Sequence, residues 1–196
     1  MSRPRSEDRR NAILSAATRV IASDGLGAPT AAIAKQAGVS NGSLFVYFDT
    51  KAALLNELYV ALKTEMVTAA TAGLPAEREP REQVLHMWTQ WLGWATTSPE
   101  KRRALAHLDV SDEITAESHQ TVSSAFVGIA GLLQRSRADG PMQDVPLGFV
   151  LTLTNAIADA TIDAILREPA DAEALSRVAF DAVWRVLAGS SPAATT

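Results

Sequence analysis

AGVSNGSLFVYF, residues 37–48, packs two glycines, three small polar residues and three aromatics into twelve positions. Read from residue 31, the run AAIAKQAGVSNGSLFVYF sets Ala34, Gly38, Ser40 and Leu44 at the spacing of a helix-turn-helix. Ala34 is small enough for two helices to cross closely. Gly38 tolerates the positive φ that ends the first helix in a tight turn. Val39 fills the angle between the helices, Ser40 caps the second, and Leu44 anchors it. The second helix then begins with the small residues Asn41, Gly42 and Ser43, as a helix entering a major groove does.

The same stretch contains Gly38-Val39-Ser40-Asn41-Gly42, a match to the G-x-S-x-G nucleophile elbow. That elbow follows a strand, whereas AAIAKQA is a helix former. An ordinary helical hairpin with a buried aromatic end accounts for Leu44 and Phe48, but not for Asn41, Ser43 or an outward Tyr47.

Outward from this stretch, helix signals recur and strand signals do not. Ser6 is placed to cap a first helix with Ile13, Ala17, Val20 and Ile21 on one face, stopped at Asp24-Gly25. A second follows Pro29-Thr30, and a fourth starts at Thr50 and runs to Gly73-Leu74-Pro75. Val84, Leu85, Trp88, Trp91, Leu92 and Ala95 repeat at helical spacing, and Ser98-Pro99-Glu100 is a strong helix start. One long segment is expected from Ser111 to about Asp139, another from Pro146 to Leu166, and the last from Asp171 to Gly189. The expected fold is all-α with about nine helices. The expected division is 1–52, a helix-turn-helix module; 53–189, a helical body; and 190–196, a disordered tail.

Composition narrows the function classes. The 196 residues carry a net charge of −4 and no cysteine, which excludes disulfides and thiolate metal sites. Residues 1–51 hold seven basic residues against four acids, a charge of +3, so residues 52–196 carry −7. A basic module facing a polyanion on an acidic body has this asymmetry. No signal-peptide run or uninterrupted apolar stretch of membrane length is present, and the expected address is the cytoplasm. His86, His107 and His119 lack metal-ligand spacing, and no glycine-rich phosphate loop occurs, so neither a metal, a cofactor nor an enzyme activity is expected.

The run Ile33 to Leu55, IAKQAGVSNGSLFVYFDTKAALL, resembles the DNA-binding signature of TetR-type transcriptional regulators. The resemblance is close over residues 9–58; the rest is similar in helix count and length. It implies a homodimer with a three-helix DNA-binding module and a ligand-binding body. By that resemblance Thr30 and Lys35 meet backbone phosphate. Asn41, Ser43 and Phe45 face the groove, Tyr47 reaches phosphate, and Lys51 holds another at the start of the fourth helix. Position 45 is Phe where Tyr is frequent, which leaves apolar contact such as a thymine methyl. Val46 replaces a residue that is commonly polar or aromatic and receives no DNA role. Arg3, Arg5, Arg9 and Arg10 make either an arm toward DNA or a solvated tail.

In the body, Trp88, Trp91 and Trp94 span about 120° of one helix, so at least one faces something other than the main core. Trp88 and Trp91 are candidates for the aromatic wall of a ligand cavity, with His107 and Phe126 as further members; packing between helices is the competing reading. Asn155, Asp159 and Asp163 recur at every fourth position and line either a pocket or a solvent face, with Asn155 and Asp159 taken as ligand candidates. The resemblance implies that the last two helices pair with their copies, although a monomer core explains their apolar faces equally well. The expectation is a repressor that binds a pseudo-palindromic double-stranded operator as a homodimer and is released by a small apolar effector. The competing class is a helical small-molecule binder or enzyme whose helix-turn-helix only packs.

Overall fold

The computed structural model describes residues 3–189, with side chains from Ser6 onward. The tail 190–196 and the side chains of Arg3 and Arg5 therefore lie outside the described residues. Among these residues every regular element is helical: α1 (Arg3–Asp24), α2 (Thr30–Gln36), α3 (Asn41–Tyr47), α4 (Lys51–Thr71) and α5 (Pro80–Thr97). They are followed by α6 (Pro99–Asp109), α7 (Ala116–Ala125), α8 (Val127–Ser136), α9 (Leu147–Arg167) and α10 (Ala172–Ala188), with one 3-10 turn at Pro169–Asp171.

Ten helices stand where the periodicity expects about nine. The extra one arises because the long segment after Ser111 is interrupted at Phe126, whose ψ of −4° departs from helical geometry. Ser123, Ser124 and Gly128 flank the interruption, and all three are weaker helix formers than alanine. The first helix also differs: α1 starts at Arg3, so Ser6 lies inside it and is not its cap.

The chain forms two compact units, each built from two stretches of sequence. One takes the described residues up to Glu65 together with Ser98–Ser124. Within it α1 packs on α2 and α6, and α2 on α3, around Ile13, Ile21, Ile33, Leu44, Leu54 and Leu108, each no more than 1% exposed. Asn56 ties α4 to the start of α7. Its Oδ1 accepts from the Thr115 N–H at 2.8 Å and the Ser118 hydroxyl at 2.7 Å, while its Nδ2 donates to the Glu113 carbonyl.

The second unit takes Met66–Thr97 and Ala125 onward. Here α5 packs against α8, α9 and α10, with Trp88, Leu132, Val150, Ile162, Phe180 and Leu187 buried between them. Gly140 sits so close to the end of α10 that an added Cβ would lie 2.0 Å from the Leu187 carbonyl oxygen. α9 is long and apolar enough to cross a membrane by length and composition, with mean hydropathy 1.5. Asn155, Asp159 and Asp163 interrupt it on an exposed face.

Candidate functional sites

The helix-turn-helix is built by local chemistry. α2 ends in a left-handed Gly38 at φ 70°, with the Gly38 N–H donating to the Lys35 carbonyl and the Val39 N–H to the Ala34 carbonyl. This pair of bonds satisfies two end-of-helix carbonyls and requires a residue that accepts positive φ. Ser40 then caps α3, its Oγ accepting from the Ser43 N–H at 3.0 Å. Thr50 caps α4 in the same way, accepting from Ala53 N–H at 3.0 Å. Leu44 and Phe48 are buried and hold α3 down, with Leu44 0% exposed.

The outward face of α3 consists of Asn41, Gly42, Phe45 and Val46, all exposed. Ser43 and Tyr47 are half-buried at its flank, and Lys35 is exposed one helix earlier. Thr30 is half-buried as the first residue of α2. Lys51, at the first turn of α4, donates its ammonium to the Leu26 carbonyl at 2.5 Å and is thereby fixed in place. Val46, whose residue type suggests no contact with DNA, is 80% exposed on this face. The 100° helical step already groups 41, 42, 45 and 46, and that signal was available in the sequence.

Arg10 does not extend as an arm. Its guanidinium pairs with Glu57, donates to the Tyr47 carbonyl at 3.0 Å and lies 4.6 Å from the centre of the Phe48 ring. Arg9, its neighbour on α1, is exposed.

The second unit contains a cavity of about 90 Å³ whose wall includes Trp88, Trp91, Phe126 and Asn155. Trp88 and Trp91 meet edge to face at 6.1 Å, and the Trp88 indole N–H donates to Ser176. Met66, Met87 and Thr154 also line the cavity, and its wall is completed by residues that periodicity did not single out, Val67, Ala70, Leu151 and Leu187. Among the described residues no Asp, Glu, Lys, Arg or His lines it. The Thr154 hydroxyl donates to the Val150 carbonyl at 2.9 Å and the Trp88 indole N–H to Ser176, so the Asn155 amide and the Trp91 indole are the remaining polar side chains of the wall.

Two sequence candidates lie elsewhere. His107 is exposed on α6, in the first unit, with its ring near Gly25. Asp159 is exposed on α9, one turn beyond Asn155, and does not line the cavity. Trp94 is buried without lining the cavity.

Residues 13–58 match the family model described as bacterial regulatory proteins, tetR family. Among solved structures, a TetR family transcription regulator from Marinobacter aquaeolei VT8 superposes with a TM-score of 0.84 at 23% identity, covering 94% of this chain and 98% of that one. A putative tetR family transcription regulator from Shewanella sp. PV-4 gives 0.80 at 24% identity, over 90% and 96%. The transcriptional regulator FadR from Bacillus subtilis, in complex with stearoyl-CoA, gives 0.66 at 18% identity, over 92% and 99%. At these identities the likeness is one of fold.

Proposed function

We propose that this chain is a TetR-family transcription regulator, a reading supported by its N-terminal module and its fold, and that it represses transcription as a homodimer and is released from its operator by a small neutral effector. This is a family of regulators, not of enzymes. The observation that carries the DNA half is the exposed face of α3, presented by a helix whose opposite side is buried at Leu44. Asn41, Ser43 and Phe45 meet bases. Thr30, Lys35, Tyr47 and Lys51 meet phosphates, Lys51 adding its charge to the amide end of α4. Two such helices in one dimer enter successive major grooves about 34–36 Å apart.

The dimer forms through α9 and α10. Phe149, Leu166 and Val178 are 57%, 43% and 71% exposed, and Ala174 and Ala182 lie one turn either side of Val178. An apolar face of small residues favours close approach of the same helices from a second copy.

The effector occupies the Trp88–Trp91 cavity. FadR of Bacillus subtilis holds stearoyl-CoA, but the phosphates of such a ligand would find no cationic partner on this wall. A cation fares no better. Burying an unpaired charge costs several kcal/mol, while contact with Trp faces returns about 0.5–2 kcal/mol. An uncharged, compact molecule with one hydrogen-bonding group toward Asn155 fits the chemistry. Met66 and Met87 are flexible enough to let the wall expand around it.

The test is a binding titration on DNA upstream of the chain's own gene, with Lys35→Ala and Tyr47→Ala alongside the native protein. Each variant is expected to lose about 1 kcal/mol of affinity, with a shallower salt slope for Lys35→Ala. Unchanged affinity in both would show that this is not the DNA face.

A further inference from the structure

The outward face of α3 has a narrow chemistry. Asn41, Gly42, Phe45 and Val46 cover an arc of about 140° at 100° per residue, on the side away from Leu44. Phe45 is 40% and Val46 80% exposed. The helix sequence NGSLFVY contains no Arg, Lys, Gln, Asp or Glu. Guanine is read in the major groove by Arg or Lys on O6 and N7, and cytosine by a carboxylate accepting from N4. α3 supplies neither. Its one amide, Asn41, is the type that reads adenine through N6 and N7. The Ser43 hydroxyl, hydrogen-bonded to the Ser40 hydroxyl at 2.8 Å, can touch a base edge but does not discriminate among the bases.

What remains on the face is a phenyl ring and an isopropyl group, adjacent and open to water. Thymine alone among the four bases presents a methyl group in the major groove. We propose that Phe45 and Val46 together read thymine methyls while Asn41 reads adenine, so that α3 selects half-sites rich in A·T pairs. This rests on the DNA-binding reading above and assigns the base chemistry of that site, with Val46 as a specificity-determining residue.

Gly42 adds an independent observation. Its φ is not in the left-handed region, and a Cβ built there meets nothing nearer than Ser40 Oγ at 3.9 Å. The fold of the chain does not require glycine at this position. A bare backbone beside Val46 lets a groove wall come close enough for short side chains to touch base edges. The surrounding charge has the matching sign, with exposed Arg9 and Lys35 in a stretch that carries +3 over residues 1–51.

The experiment uses the full chain. Operator duplexes are selected from a random library, then resynthesised with deoxyuridine for thymidine, which removes the C5 methyl and keeps the pairing. Binding is measured by fluorescence anisotropy. Native protein is expected to select A·T-rich half-sites and to bind the uracil duplex about fourfold more weakly per methyl contacted, the value of one buried carbon. Phe45→Ala and Val46→Ala lie at exposed positions, so their helical circular dichroism should match the native signal. The double variant should bind thymine and uracil duplexes equally. Half-sites dominated by G·C, or equal native affinity for the two duplexes, overturns the proposal while leaving DNA binding intact. Failure to bind any duplex at low salt overturns the DNA-binding reading and this proposal with it.

Discussion

Arg10 of α1 and Glu57 of α4 hold each other in a two-pronged ion pair, with Arg10 Nε donating to Glu57 Oε1 at 2.6 Å and a second guanidinium nitrogen donating to Oε2. The same guanidinium donates to the Tyr47 carbonyl and covers the Phe48 ring. One side chain thus joins α1, the end of α3 and α4. Arg10→Ala should destabilise the protein by about 1–2 kcal/mol, after allowing for solvent screening of a pair 40% and 34% exposed. Arg10→Lys should not restore it, because an ammonium cannot make the forked contact. Urea denaturation checks both.

Arg137, by contrast, is a buried cation, 5% exposed. It donates to the Met142 carbonyl at 2.6 Å, to the Val145 carbonyl, and to Gln134 Oε1 at 2.8 and 3.1 Å. Two carbonyls of the turn after α8 and the Gln134 side chain within α8 depend on this one group. Arg137→Met keeps the stem and leaves them without their donor, and should cost about 2–4 kcal/mol. A loss of unfolding free energy below about 1 kcal/mol in urea denaturation would mean that water replaces the guanidinium.

The cavity makes a prediction about neutral probes. Benzene should raise the melting temperature, by about 2–4 °C for each kcal/mol of linked binding free energy. Tetramethylammonium should not. Ala70 is 7% exposed on the cavity wall, and Ala70→Leu adds three carbons to a space of about 90 Å³. That variant should fold and lose the benzene response, as differential scanning fluorimetry would show.

Tyr59 donates or accepts at 3.2 Å with His119 Nδ1 and packs edge-on against that ring. Burial, then the negative charge of Asp109, pushes its phenol up from 10.0 to about 12. The folded state therefore keeps the proton that the unfolded chain releases. Stability from this group is fully present below pH 10 and is lost as pH rises toward 12. Tyr59→Phe should flatten the fall in urea midpoint over that interval. An equally steep fall in the variant would place the alkaline transition on other groups.

The helix-turn-helix was readable because every device in it is local. The Gly38 turn, the Ser40 and Thr50 caps and the Leu44 anchor each act within about one helical turn of their own residue. The interruption at Phe126 was not readable, since Ser123, Ser124 and Gly128 weaken a helix without specifying where it breaks. Trp88, Trp91 and Phe126, suggested by residue type, and Asn155, suggested by its four-residue spacing, line one wall of the cavity. His107, suggested by residue type as well, belongs to the other unit.

The sequence by itself determined that the described residues are helical, where the turn and caps of the helix-turn-helix fall, and that a short helix with a small-residue start follows the Gly38 turn. Those properties depend on backbone preferences and hydrogen bonds between near neighbours. Only the tertiary structure decided which charges are structural and which side chains share a cavity. Arg10 finds Glu57 across 47 positions and Trp88 finds Ser176 across 88. Such partners are chosen by how helix faces pack, and no periodicity within a single helix encodes that choice.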